Sequence, residues 1–535
     1  MIENSSHLPK ISDRLIFVIF ALLTIIWIVL RLPSVPQAVM DADAGHQLAG
    51  AMQILKGQQP FVDFEATYGP LTFYVSALAQ VFSGGRLMGE FILCTLGYAI
   101  AYGLLAVLMR RITNHIGLTC LFGALALLVM PRLYKYYIVL GPVVTLWLTW
   151  LYIQKPKFTR LVWLALAVVI TGLFRADLGV YCAVAATVAV FLQSHNRLKG
   201  VVGLWGSIVL FAVPWLGFLA FWGGLRRYFY DMLAGGLNIA TGMSLAFPTF
   251  RINQMVFSEG NLFFITSVLL ACFPVLVWFF LALRWRSLEP MPRSMLVCAA
   301  TLYTLCLVQA ISRFDVPHIS QTLPLTFLLA AWLAGVLLAQ SATARPLALL
   351  LCLMFVLPVT LIGRSGWPSV SVADLPEKIV QFSLPKDQML TNANAPTRYG
   401  YVTMMLYLRR CVGDGQALMA LPALTTFPYF TDRSFGGGQM GVVSGYFVTK
   451  ADQQRIIAKM KKQDIPLIVY VPNYSFDNLP ERRLEVVAPL VAKYIRANYR
   501  LLKSVGNSNV LLRRDLVVEK RVIGLENYSC PVPRR

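Results

Sequence analysis

Four carboxylates crowd one early stretch of the sequence, DADAGHQLAGAMQILKGQQPFVDFEATYGPL, which runs from Asp41 to Leu71: Asp41, Asp43, Asp63 and Glu65. Two further elements pair an arginine with an aspartate two residues on. They are FRADLGVY (Arg175, Asp177) and SRFDVPH (Arg313, Asp315, with His318 following). A carboxylate beside a hydroxyl can take its proton as the oxygen attacks, and burial near a second acid would raise its basicity. Arginine forks match phosphate geometry and take up charge that develops on a leaving phosphate. Acids and arginines together therefore suit transfer of a group from a phosphate to a hydroxyl. The phosphate-binding candidates are Arg132 and Lys135 in PRLYKYY, then Arg175, Arg226, Arg227, Arg251 and Arg313.

Blander explanations exist for each element. Asp43 would serve as a helix N-cap, since Leu48, Met52 and Leu55 follow at helical spacing and Gly57 suits the helix end. Each Arg-x-Asp would serve as an ion pair at the end of a span. Neither accounts for the whole set on one face, and that depends on the elements that carry it.

The chain has 535 residues, 57% hydrophobic and 13% charged, with mean hydropathy +0.64. Soluble proteins carry about 25% charged residues, so this composition indicates a polytopic membrane protein. Eleven apolar runs read as spans: 15–32, 88–109, 116–131, 136–153, 159–174, 177–193, 200–222, 261–283, 294–311, 318–339 and 345–363. The first reads as a retained anchor rather than a cleaved signal. Tyr68 to Phe82 is too short to span and holds Gly69 and Pro70, so it reads as an interfacial helix.

The net charge of +22 comes from basic residues scattered in short loops, not from a nucleic-acid-binding patch, and no nucleic acid is expected as a partner. With a cytoplasmic N-terminus, every inner loop is basic: Lys10 and Arg14; Arg110 and Arg111; Lys155, Lys157 and Arg160; Arg197 and Lys199; Arg284, Arg286 and Arg293; Arg345. That is the positive-inside pattern. It places the first loop and both Arg-x-Asp elements together on the outer face. The site chemistry then becomes transfer of a sugar from a lipid phosphate, whose tail stays in the bilayer.

The organisation expected is an all-α membrane domain over 1–363, with its acidic first outer loop at 33–87, then a smaller extracytoplasmic α/β domain over 364–535. In the latter, IPLIVYV (465–471) and NVLLRR (509–514) read as strands and 451–463 as an amphipathic helix. SFGGGQMG (434–441) lacks the lysine of a phosphate loop and reads as a flexible surface loop. Of nine cysteines, seven sit in apolar runs as small hydrophobes. Cys411 and Cys530 would pair if this region is extracytoplasmic.

The chain resembles the GT-C superfamily of integral-membrane glycosyltransferases, especially bacterial relatives of dolichyl-phosphate-mannose-protein mannosyltransferases and aminoarabinose lipid A transferases. The resemblance rests on Asp41-x-Asp43, on "A..ILKGQQPFVDF" and "YGPL" before an interfacial helix, on the span count and outer Arg-x-Asp elements, and on the polar C-terminal region. It implies a polyprenyl-phosphate sugar as donor, a lipid, glycan or protein hydroxyl as acceptor, and a bacterial inner membrane with membrane lipids around it. It makes Asp43 the catalytic base with Asp41 its partner; the donor-phosphate ligands expected from the outer loops are Arg132, Lys135, Arg175, Arg227 and Arg313. Asp63, Glu65, Asp177, Asp315 and His318 would support them. Ala44 stands where many relatives have glutamate, which moves that role to Asp63 or Glu65 or removes it. Some superfamily members bind a divalent metal here, for which Asp41, Asp43 and His46 are the candidate ligands. No cofactor is otherwise implied. The competing classes are a secondary transporter, disfavoured by spans nearly free of acids apart from Glu90, and a non-catalytic receptor or assembly subunit.

Overall fold

The computed structural model describes residues 12–193, 196–255, 258–340, 345–362, 370, 372–392, 400–523 and 526–533. Lys10 and the expected domain boundary at 363/364 lie outside the described residues.

Helix α1 (Asp13–Val29) starts where the Ser12 side chain accepts from the Leu15 amide. The chain then makes two short helices, α2 (Val35–Met40) and α3 (Ala42–Leu55), before the interfacial α4 (Pro70–Ser83). Ten apolar helices follow, broken by two short ones: α5 (Leu87–Thr113), α6 (Ile116–Leu128), α7 (Tyr136–Gln154), α8 (Phe158–Phe174), α9 (Ala176–Gln193), α10 (Arg197–Phe221), the short α11 (Leu225–Phe229) and α12 (Gly235–Gly242), then α13 (Glu259–Leu283), α14 (Pro290–Ile311), α15 (Val316–Gln340) and α16 (Arg345–Ile362). A helix stands at each of the eleven expected spans. Among the described residues, seven are long and apolar enough to cross a membrane: α5, α7 with its preceding turn, α9, α10, α13, α14 and α15. The others are shorter.

These helices bury aromatic residues such as Tyr98, Tyr102, Phe122, Phe327 and Phe355 between them, yet leave Leu22, Ile26, Val209, Leu210, Val275 and Leu349 exposed. Apolar side chains on both faces are the signature of helices whose outer solvent is lipid.

The C-terminal region opens with α17 (Leu375–Phe382), α18 (Lys386–Asn392) and α19 (Tyr401–Cys411), then alternates strands and helices: β1 (Ala417–Leu421), α20 (Thr426–Thr431), β2 (Ser434–Phe435), α21 (Lys450–Lys462), β3 (Leu467–Tyr470), α22 (Leu484–Val487), α23 (Pro489–Asn498), β4 (Tyr499–Val505) and β5 (Ser508–Arg513). The sheet order is β2-β1-β3-β5-β4. Strands β1 and β3 run parallel, so the chain between them crosses over, and the Thr449–Asp452 capping box starts α21 on that path. A separate hairpin, β6 (Leu516–Ile523) and β7 (Glu526–Pro533), closes the region. Cys411 is bonded to Cys530, tying α19 to that hairpin.

One expectation is overturned. SFGGGQMG is not a surface loop, because Gly436, Gly437, Gly438 and Met440 are buried. A Cβ on Gly436 would lie 2.7 Å from the Cβ of Met419, and Gly437 adopts a left-handed φ of +70°. The glycines let this strand end press against β1 while the Gly438 carbonyl accepts from the Glu65 amide at 3.1 Å. The stretch is thus packing between the C-terminal region and the first outer loop.

Candidate active site

The four acids of the opening stretch take four separate tasks. Asp41, not Asp43, caps α3: its Oδ1 accepts from the amides of Asp43 and Ala44 at 3.2 and 3.1 Å. Asp43 is thereby left in the first turn with its carboxylate free to face inward. Asp63 closes a local turn by accepting from the Gln59 amide at 2.8 Å. Glu65 is buried beside two arginines: Arg227 Nη2 lies 3.0 Å from its Oε2 and Arg455 Nε 3.2 Å from its Oε1.

Asp43 lines a cavity of about 190 Å³ together with Arg132, Lys135, Arg313, Asp315 and His318. It is set at one end of the helix bundle, where the first turns of α3 and α15, the turn before α7 and the C-terminal end of α14 converge. The cation pair is held from behind. The Tyr98 hydroxyl on α5 donates toward the carbonyls of Pro131 and Arg132, at 3.1 and 2.9 Å, and the Gln47 amide of α3 reaches the Tyr134 carbonyl at 2.9 Å. Arg132 Nη1 then donates to Asp43 Oδ2 at 2.8 Å, and the Tyr134 hydroxyl donates to the same oxygen. Lys135 is buried and donates to the Tyr68 hydroxyl at 2.5 Å.

The Asp43 side chain keeps 39% of its surface accessible, enough for a ligand in the cavity to reach it. Burial alone would raise its carboxyl, but Lys135, Arg132 and the Tyr134 hydroxyl hold it well below the usual carboxylate range. This reverses the expectation that a neighbouring acid would raise it, because two cations and a phenol sit closer in effect than Asp41. Asp41 moves the other way, raised by burial and by the charge of Asp43.

The two Arg-x-Asp elements are brought to the same end. Arg313 is committed on every side: Nε to Asp315 at 2.9 Å, Nη1 to the Met243 carbonyl at 2.8 Å, and both terminal nitrogens to Asp477, at 2.9 and 2.6 Å. His318 Nδ1 contacts Asp315 Oδ1 at 2.6 Å. Arg175 stands behind the wall, forked onto Asp177 and 3.4 Å from Gln321, which lines the cavity. It is placed there by Gly69, whose amide donates to the Phe174 carbonyl at 3.0 Å. A Cβ on Gly69 would lie 2.2 Å from the Leu173 carbonyl oxygen, so this close approach requires glycine.

Arg227 is not brought to the cavity. It sits in a buried cluster with Glu65, Asp231 (Nε to Oδ1, 2.7 Å) and Asp452 (Nη1 to Oδ1, 3.4 Å), which Arg455 also joins. Arg226 and Arg251 are exposed. Among the residues that line the cavity without having been singled out are Tyr68, Tyr134, Met243, Ser244, Tyr446 and Phe476. Tyr134 stands between Arg132 and Lys135, so its motif was visible. Tyr446 and Phe476 come from the C-terminal region, and nothing in the sequence ties them to Asp43.

The candidate metal ligands do not fit a metal ion. Asp43 is engaged by Arg132 and Tyr134, Asp41 by helix amides, and His46 Nδ1 lies 3.2 Å from the Met440 sulfur. Burial pushes the His46 imidazole down to about 4. Among the described residues, no group of three or more His, Cys, Asp or Glu side chains is arranged to hold a metal. What the cavity offers is two carboxylates, Asp43 and Asp315, three cations, Arg132, Lys135 and Arg313, and polar aromatic walls.

No family model matches this sequence, and no curated protein matches it. Among solved structures, the chain is similar to ArnT from Cupriavidus metallidurans bound to undecaprenyl phosphate. The two are 14% identical, with 93% of this chain and 97% of that chain covered and a TM-score of 0.49. It is similar also to the apo state of the same ArnT, at 11% identity over the same shares, with a TM-score of 0.47.

Proposed function

We propose that this chain is a glycosyltransferase that moves a sugar from a polyprenyl-phosphate donor to a hydroxyl of a lipid, glycan or protein acceptor on the outer face of the membrane. The observation that carries this reading is the cavity itself: Asp43 shares it with Arg132 and Lys135, at the end of the bundle where the acidic outer elements meet.

The chemistry follows from those three side chains. At rest Arg132 is spent on Asp43, and the carboxylate is a weak base. A donor phosphate arriving between Arg132 and Lys135 competes for the guanidinium and weakens its hold on Asp43. The acceptor hydroxyl then gives its proton to the Asp43 carboxylate as its oxygen bonds to the anomeric carbon. The bond from that carbon to the phosphate oxygen breaks, and the polyprenyl phosphate leaves with the electron pair. Arg132 and Lys135 take up the charge that develops there. The proton passes from Asp43 to water. No general acid is required, because phosphate leaves readily.

The test is Asp43→Asn in cells that otherwise lack the protein, read by glycan and glycolipid profiling. The expected outcome is loss of one sugar modification that the wild-type gene restores, with a fall of at least about 100-fold for a lost general base. An unaltered profile with the variant would overturn catalysis by this loop.

A further inference from the structure

Away from the cavity, the corner between α4 and α5 forms a groove of about 360 Å³ that the described residues leave open. Gly84 and Gly85, at φ +63° and +75°, turn the chain back on itself. Gly89 closes the base of the corner, since a Cβ there would lie 2.4 Å from the Ala79 carbonyl oxygen. The walls are Phe82, Met88, Ile92 and Leu93, with Ser83 and Ser383 at the rim. Phe82 is 84% exposed and Ile92 50%. Leu96, one helical turn on from Ile92, is exposed as well, and so are Ile379 and Val380 of α17, the helix that precedes Ser383.

At the mouth of this groove stands one cation, Arg86. It precedes α5 without capping it through its side chain. Among the described residues its guanidinium makes no hydrogen bond or ion pair. An apolar strip running down a span, topped by a guanidinium unpaired among the described residues, has the two-part chemistry that receives a lipid with an anionic head group. Acyl chains alone give no preference, because every lipid offers them. Arg86 supplies the selection.

We propose that the α4–α5 corner is a binding site for an anionic phospholipid, with its phosphate on Arg86 and one acyl chain along Phe82, Ile92 and Leu93. The simpler account is an arginine that snorkels to whatever head group is near, and that account predicts no head-group preference.

The experiment places the full chain in nanodiscs containing phosphatidylglycerol or phosphatidylcholine with the same photoactivatable acyl chain. Labelled peptides are then mapped. Labelling of residues 79–93 is expected to be about fivefold stronger with phosphatidylglycerol, the preference one basic side chain gives at a membrane surface. Arg86→Gln should abolish the preference and Arg86→Lys should keep it. Equal labelling of the wild-type chain by both lipids would overturn the proposal, as would a preference that survives Arg86→Gln. Should Arg86→Gln fail to fold, the wild-type ratio decides together with Arg86→Lys. This outcome is independent of the sugar-transfer reading.

Discussion

At the scale of single residues, position within a turn separates acids that composition treats alike. Asp41 and Asp43 are two residues apart, yet one is consumed by helix amides and the other faces a cavity. A cap reading was legible in the sequence, but it falls on Asp41, because the helix begins two residues earlier than hydrophobic spacing suggests. Glu65 shows a further division. It is buried with Asp231 beside a shared arginine, and burial pushes both carboxyls up to about 7, against the pull of Arg227. Their ordinary values are 4.5 and 3.8, so between there and about pH 7 the folded chain holds protons that the unfolded chain has released. Stability therefore falls as pH rises through that window. The melting temperature in detergent should drop between pH 5 and pH 7.5, and Glu65→Gln, which cannot ionise, should flatten that drop. Parallel curves for the two proteins would show that Glu65 does not titrate in this range.

At the scale of elements, the spans and the main strands were legible because periodicity and length record them directly. Each apolar run became a helix, and 465–471, 509–514 and 451–463 became β3, β5 and α21. What stayed hidden is contact between distant elements. SFGGGQMG carries a flexible composition, yet its glycines serve close packing under the first loop. Asp477 gave no signal either, although it grips Arg313 with both oxygens and also meets Arg482. Those two arginines hold the backbone of the segment after α12, through the Met243 carbonyl at 2.8 Å and the Ser244 carbonyl at 2.6 Å. Met243, Ser244 and Phe476 all line the cavity, so one carboxylate pins a wall to which three distant segments contribute. Asp477→Asn keeps the size and removes the charge that two largely buried arginines share. The expected cost is about 2–3 kcal/mol, seen as a lower melting temperature together with faster hydrogen exchange at residues 242–246. Unchanged exchange there would mean the wall is held by other contacts.

At the scale of the whole molecule, the position of the chemistry depends on which side of the membrane the cavity faces. The basic inner loops imply the outer face for the cavity, independently of where the acids lie. Three features of the folded chain bear on that expectation. The cavity gathers residues from 43, 132–135 and 313–318, all assigned to the same side by the loop charges. The C-terminal region supplies Tyr446 and Phe476 to that cavity, so it must share that side. Cys411 and Cys530 are bonded, which suits an oxidising compartment and not a reducing one. An even number of spans would put the basic loops outside, against the positive-inside bias, and would put this disulfide in the cytoplasm. A reporter that matures only outside the cytoplasm, fused after residue 535, should therefore be active, and a cytoplasm-only reporter at the same point should be silent. A second fusion after Arg111, in the first basic loop, should give the opposite pair. If the C-terminal fusion reports the cytoplasm, the cavity faces inward, and a donor carried on the outer leaflet could not reach Asp43.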